Sequence, residues 1–249
     1  MKIDQGELNN IEQGEYYLDE PIEIYQSTTI SGPQRKGPTP EKDSPFTGVT
    51  IYGDFEGPLI RFIGFDGDAA KGAGGGLINL RLENHHEKGH SVLIDGVSGS
   101  QRPSWVELTG CHFLNSDVIL DGSSISDLLR CCQIDRCRFQ NAMLEVSSTA
   151  NTNIINTMFH SESVCRVTDN KNLTIHLCKG YSLIASHNEN VHIHTQSWTN
   201  ARIFKNKWID ANLGIITNNP TIEANDYYYI NSIIRETKTV SALTDLVPR

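Results

Sequence analysis

Apolar residues along this chain fall in runs of three to six positions, and no long stretch shows the 3.6-residue period of an amphipathic helix. Val49-Thr50-Ile51-Tyr52, Leu59-Ile60-Arg61-Phe62-Ile63 and Leu77-Ile78-Asn79-Leu80-Arg81-Leu82 are typical. Each is rich in branched or aromatic side chains and is closed by Asn, Asp, Gly or Ser, the grammar of strand and turn. The pattern predicts an all-β protein.

The runs also repeat. Leu108-Thr109-Gly110-Cys111-His112-Phe113 matches Ile134-Asp135-Arg136-Cys137-Arg138-Phe139 at an offset of 26, and Ile154-Ile155-Asn156-Thr157-Met158-Phe159 follows after a further 20. Leu173-Thr174-Ile175-His176-Leu177 and Val191-His192-Ile193-His194 continue the series at looser spacing. A companion run trails each of these, from Val92-Leu93-Ile94-Asp95-Gly96 and Val118-Ile119-Leu120-Asp121-Gly122 to Arg202-Ile203-Phe204. Two strand columns advancing together by about 20–26 residues predict a right-handed parallel β-helix, a solenoid with one coil per repeat. A sandwich of hairpins would show tight turns and no shared period. Asn84, Asn115 and Asn141 each lie two places after Leu82, Phe113 and Phe139, which predicts asparagines stacked on coils about 4.8 Å apart.

One solenoid domain is expected over residues 1–245, with 1–48 as its N-terminal cap and first strands. Gly14-Glu15-Tyr16-Tyr17-Leu18, Pro21-Ile22-Glu23-Ile24 and Thr28-Thr29-Ile30-Ser31-Gly32 read as short strands, and Pro33 to Gly48 reads as a loop. Gly72-Ala73-Gly74-Gly75-Gly76 reads as a second flexible loop, without the Lys-Ser or Lys-Thr of a phosphate-binding loop. Leu246-Val247-Pro248-Arg249 resembles a thrombin recognition sequence left by tag removal and is set aside.

Charge narrows the partners. A formal net charge of −9 argues against nucleic acid or an anionic membrane as the main partner, since both select basic fields. No run approaches the roughly 18 apolar residues of a membrane span. Met1 to Gly6 lack the charged-then-apolar run of a signal peptide. The six cysteines form no CxxC pair and sit among apolar neighbours, which predicts buried thiols rather than a zinc or redox site.

The opening strands Gly14–Leu18, Pro21–Ile24, Thr28–Gly32 and Gly48–Gly53, with strand coils after them, resemble the pectate-lyase-like β-helix superfamily of polysaccharide lyases, hydrolases and bacteriophage tailspikes. The likeness implies an extended glycan along the outer face of one strand column, and an extracellular or virion-associated protein. It favours a glycoside hydrolase, polysaccharide lyase or tailspike-type depolymerase without specifying the reaction, because the polygalacturonase-type signatures are missing. Gly89-His90-Ser91 lacks the second glycine of Gly-His-Gly, Arg202-Ile203-Phe204-Lys205 is a loose echo of Arg-Ile-Lys, and no Asp-Asp pair occurs. No cofactor is called for. Calcium enters only through the family likeness, and no carboxylate cluster is dense enough to name as its site.

Two sets of residues carry the candidate chemistry. Asp95 and Asp121 hold equivalent places one coil apart, a spacing suited to the paired carboxylates of glycoside hydrolysis. Asp-Gly is also an ordinary turn. Strand alternation around Leu80/Leu82, Cys111/Phe113, Cys137/Phe139, Thr157/Phe159 and Ile175/Leu177 turns Arg81, His112, Arg138, Met158 and His176 outward, with His194 next. This strip of Arg and His suits the hydroxyls or carboxylates of a glycan. His192 and His194 lie on one strand face, with His176 as a third imidazole, and His85, His86 and His90 share a loop. Without a carboxylate partner no metal site is assigned. Trp105, Trp198, Trp208 and Tyr227-Tyr228-Tyr229 add rings for stacking on sugars or for capping the last coil. The reading is a polysaccharide-binding, polysaccharide-degrading β-helix. Beside it stand a non-catalytic carbohydrate-binding or adhesin-like module and a structural spike that forms a homotrimer.

Overall fold

The computed structural model describes residues 2–33, 48–63, 73–95, 103–123, 129–130, 132–223 and 226–234. Its strands pair in parallel throughout and form a parallel β-helix solenoid, with no helix among the described residues. Each coil has three faces. The first begins with Leu8–Asn10, Thr28–Ser31, Ala73–Ile78 and Pro103–Thr109; the second with Gly14–Leu18, Val49–Gly53, Leu80–Asn84 and His112–Leu114; the third with Ile22–Ile24, Gly57–Phe62, Gly89–Asp95 and Asp117–Asp121. Later strands bend round the corners, so that Glu189–Phe204 crosses all three faces in one element.

The expected register holds where the repeats were clearest. Leu108 pairs with Ile134 and Ile134 with Ile154; Phe113 pairs with Phe139 and Phe139 with Phe159. The period does not stay at 20–26. The inward position of the first face steps from Leu77 to Leu108, Ile134, Ile154, Ile175, Ile193 and Ala211, so the last two coils contain 18 residues. Six residues per face is what remains when a coil has no loop, and that shortening produced the looser spacing seen in the sequence.

Corners are made by residues with left-handed backbone, a conformation that asparagine tolerates better than most. Asn79, Gly110, Arg136, Asn156 and Leu177, all at φ of 50–64°, turn the first face into the second. Three expectations change here. Leu77 to Leu82 is two strands on two faces, broken at Asn79. Leu177, expected inside, is a corner residue whose side chain is 45% exposed, and Cys178 takes the inward place. Asn115 and Asn141 stack through an amide hydrogen bond of 3.3 Å, but Asn84 turns inward and donates to the Phe55 and Gly57 carbonyls.

The glycine run is no loop either. Ala73–Ile78 is a strand, with Gly75 and Gly76 pressed between the Thr28 and Glu107 backbones where a Cβ would collide with carbonyl oxygens. Inside the second face, Phe113, Phe139 and Phe159 stack with centroids 4.9 and 4.8 Å apart. Trp198 completes the stack at 5.6 Å from Phe159, reaching across Gly180, which has no side chain to block it. Cys111, Cys137, Cys165 and Cys178 are buried thiols, as expected, and Cys132 is buried too; Cys131 lies outside the described residues.

Candidate functional site

The expected basic strip divides between two faces. Arg81, His112, Arg138 and Met158 stand in register on the second face, and Lys179 follows them. His176 and His194 stand on the first face instead, in register with Asp135 and Ile155. The corner at Leu177 separates the two groups. Arg81 is paired with the buried Glu83 at 3.2 Å, Asn115 donates to the other Glu83 oxygen at 3.0 Å, and Arg138 is itself buried. This part of the second face is a largely buried row in which Glu83 engages Arg81 and Asn115, rather than an open row of cations.

Asp95 and Asp121 lie on neighbouring coils in register, as expected. Asp95 is buried and accepts two hydrogen bonds from Arg61, at 2.7 and 3.3 Å. That hydrogen bond is the largest influence raising the Arg61 guanidinium above its ordinary value. Asp121 accepts from the Ser123 amide at 2.8 Å and the Ser147 hydroxyl at 3.2 Å. The two carboxylates are thus held by different partners.

The aromatic candidates also separate. Trp198 is buried in the core, so it cannot meet a ligand. The backbone of Tyr227–Tyr229 continues the first face as its last described strand. Trp105 and Trp208 are 68% and 57% exposed. Both have left-handed backbone, and both occupy the corner that leads into the first face. The register that joins Ser104, Arg130, Ala150, Lys171, Glu189 and Lys207 places Trp105, Asn151, Asn172, Asn190 and Trp208 on one line along the solenoid. Asn172 donates its amide to Asn151 at 3.0 Å and Asn190 donates to Asn172 at 2.6 Å. The two tryptophans stand five coil steps or about 24 Å apart; the exposed Asn151–Asn172–Asn190 ladder adjoins Trp208, and the coil between Asn151 and Trp105 carries Cys131, which lies outside the described residues. Lys171, Asn172, Glu189, Asn190 and Trp208 line a groove at one end of the ladder.

Beside this edge the first face presents Thr174, His192 and Asp210 in one row and His176, His194 and Asn212 in the next. The Asp210 carboxylate stands 3.1 Å from His194 Nε2 and 3.6 Å from His192 Nδ1. His176 lies on the other side, its ring 6.5 Å from that of His194. Sequence reasoning missed both features for one reason. The signal is the 18-residue repeat that joins Asn172, Asn190 and Trp208, and His192 and Asp210, and a 20–26 period leaves these pairs unaligned.

Fold and edge together define a parallel β-helix solenoid with one polar first face bordered by exposed tryptophans. No protein family matches the chain, and no curated protein matches it. Among solved structures it is similar to ORF18 of Geobacillus virus E2, at 14% identity and a TM-score of 0.42, covering 92% of this chain. The chain spans about half of that protein's length, 54%. It is also similar to QnrB1, a plasmid-mediated fluoroquinolone resistance protein, at 13% identity and a TM-score of 0.21, over 90% of each chain. The periplasmic alginate epimerase AlgG follows at 10% identity and 0.19, covering 88% of this chain and 76% of that one. These values assign no function to this chain.

Proposed function

We propose that the protein binds an extended polysaccharide along the corner that runs from Trp105 to Trp208. The observation that carries this is the placement of two exposed indoles at equivalent corner positions, on the same line as a hydrogen-bonded asparagine ladder. An indole face stacks on the apolar face of a sugar ring, and amide groups exchange hydrogen bonds with hydroxyls. A left-handed backbone is unusual for a bulky residue and carries a conformational cost. The same backbone recurs at Asn151, Asn172 and Asn190, so the corner itself turns all five side chains along one outward line. The mixed charges of Lys171 and Glu189 in the groove fit a hydroxyl-rich ligand better than a densely charged one.

Cleavage of the bound glycan is a second reading, favoured by the register of Asp95 and Asp121. The ion pair that engages Asp95 puts binding first. Affinity electrophoresis against a panel of neutral and acidic polysaccharides tests the proposal. At least one polysaccharide is expected to retard the protein, and Trp105→Ala or Trp208→Ala to weaken that binding about tenfold or more, in line with about 1.5–3 kcal/mol for burying a large apolar side chain. Binding unchanged in both variants would contradict it. Assays of the same mixtures for new reducing ends or unsaturated products separate a binder from an enzyme.

A further inference from the structure

We infer that His192, His194 and Asp210 form a site for a divalent transition-metal ion, with zinc as the representative ion. Among the described residues these three bring one ligand atom each to within 4.8 Å of one another. Their placement follows from the solenoid. His192 and His194 alternate outward on either side of the buried Ile193, and Asp210 stands one 18-residue coil further along, in register with His192. The inward neighbours Val191, Ile193, Ile209 and Ala211 are all buried, so the three ligands project from a packed strand pair rather than from loops.

Distances fit the ion. With metal–ligand bonds of about 2.0–2.2 Å, two ligand atoms at a tetrahedral centre lie about 3.4 Å apart. The Asp210 oxygen is 3.1 Å from His194 Nε2 and 3.6 Å from His192 Nδ1, on either side of that value. Two imidazoles and one carboxylate suit zinc and its first-row neighbours; an oxygen-rich set would be needed for calcium or magnesium. Three protein ligands leave at least one coordination position, and the partial exposure of all three residues directs it to solvent, where water or a ligand oxygen would enter.

The sequence assigned no metal site, because the carboxylate partner was not recognised. His176 was the natural third ligand while the neighbouring coil was sought upstream, but its ring packs on the far side of His194. The carboxylate comes from the coil downstream. Buried thiols do not compete, since Cys111, Cys137, Cys165 and Cys178 lie inside the solenoid. The inference does not depend on glycan binding, although the ion would stand two residues from Trp208 on the same face.

Calorimetric titration of the untagged, chelator-treated full chain with zinc chloride tests this. One zinc per chain is expected, with affinity reduced at least about tenfold by His192→Ala, His194→Ala or Asp210→Asn, and changed less than about threefold by His176→Ala. Substitution with cobalt is expected to give a visible absorption band that Asp210→Asn abolishes. Absence of saturable zinc binding, or undiminished affinity and stoichiometry in a His192→Ala/His194→Ala double variant, would overturn the inference.

Discussion

Cys178 lies inside the corner that Leu177 turns, and its thiol contacts the Ile154 and His176 carbonyls at 3.4 Å each. Burial, its largest influence, pushes this thiol up to about 12, and burial also raises Cys137 and Cys165 well above the ordinary thiol range. Because the folded values lie above the unfolded value of about 8.5, this contribution is fully present below about pH 8.5. It declines as pH rises from there toward the folded values, since only the unfolded chain then releases the proton. Each thiol is expected to lower stability by about 1.4 kcal/mol per pH unit in that window. Denaturation midpoints from pH 7 to 11 measure the decline, and Cys178→Ala should make it shallower by one thiol's share. An identical slope in that variant would refute the assignment. The same residue shows what local pattern conveys. Apolar neighbours were enough to predict buried thiols at Cys111, Cys137 and Cys178. They did not place Leu177, because a left-handed corner residue breaks the alternation from which inward and outward positions are inferred.

At the scale of the coil, the last turns are tied together by a buried asparagine ladder. Asn170 donates to Asn188 at 2.9 Å and Asn188 to Asn206 at 2.8 Å. Their amides also reach the Val146, Val167 and Ala185 carbonyls, each at 3.0 Å. The backbone amides of Asn170 and Asn188 donate to the next asparagine at 3.0 Å. These are turn groups that the inter-coil strand ladder does not satisfy, and an orphaned buried group costs about 1–3 kcal/mol. Asn188→Ala is therefore expected to lose about 3 kcal/mol, read as a lower midpoint in chemical denaturation with the slope unchanged. A loss below about 0.5 kcal/mol would mean that water replaces the amide. This ladder was absent from the sequence reading although its members stand 18 apart, because Asn in a turn has a sufficient local explanation. The aromatic stack was easier to see: Phe113, Phe139 and Phe159 each close a hexapeptide that opens on a branched apolar residue. Trp198 was not, since it joins the stack only because Gly180 leaves a gap.

For the molecule as a whole, the solenoid converts a repeat into a straight row of side chains, one per coil. The architecture was legible because apolar alternation is repeated nine or ten times and errors in one coil are corrected by the next. The site was legible only in its ingredients. Arg81, His112 and Arg138 were correctly aligned with one another, and Asp95 with Asp121, but the left-handed corner at Leu177 leaves His176, and His194 in register with it, on the first face rather than the second. The shift from 26-residue to 18-residue coils brought Trp208 into line with Trp105 and Asp210 into line with His192. A ligand that follows such an edge must be long. Titration with oligosaccharides of increasing length, from the polysaccharide that retards the protein, measures whether the ligand follows the edge. Affinity is expected to rise until the oligosaccharide spans the roughly 24 Å between the indoles, and to level off beyond that. In the Trp105→Ala/Trp208→Ala double variant the rise should disappear. Affinity independent of length, or the same length dependence in the double variant, would contradict binding along this edge.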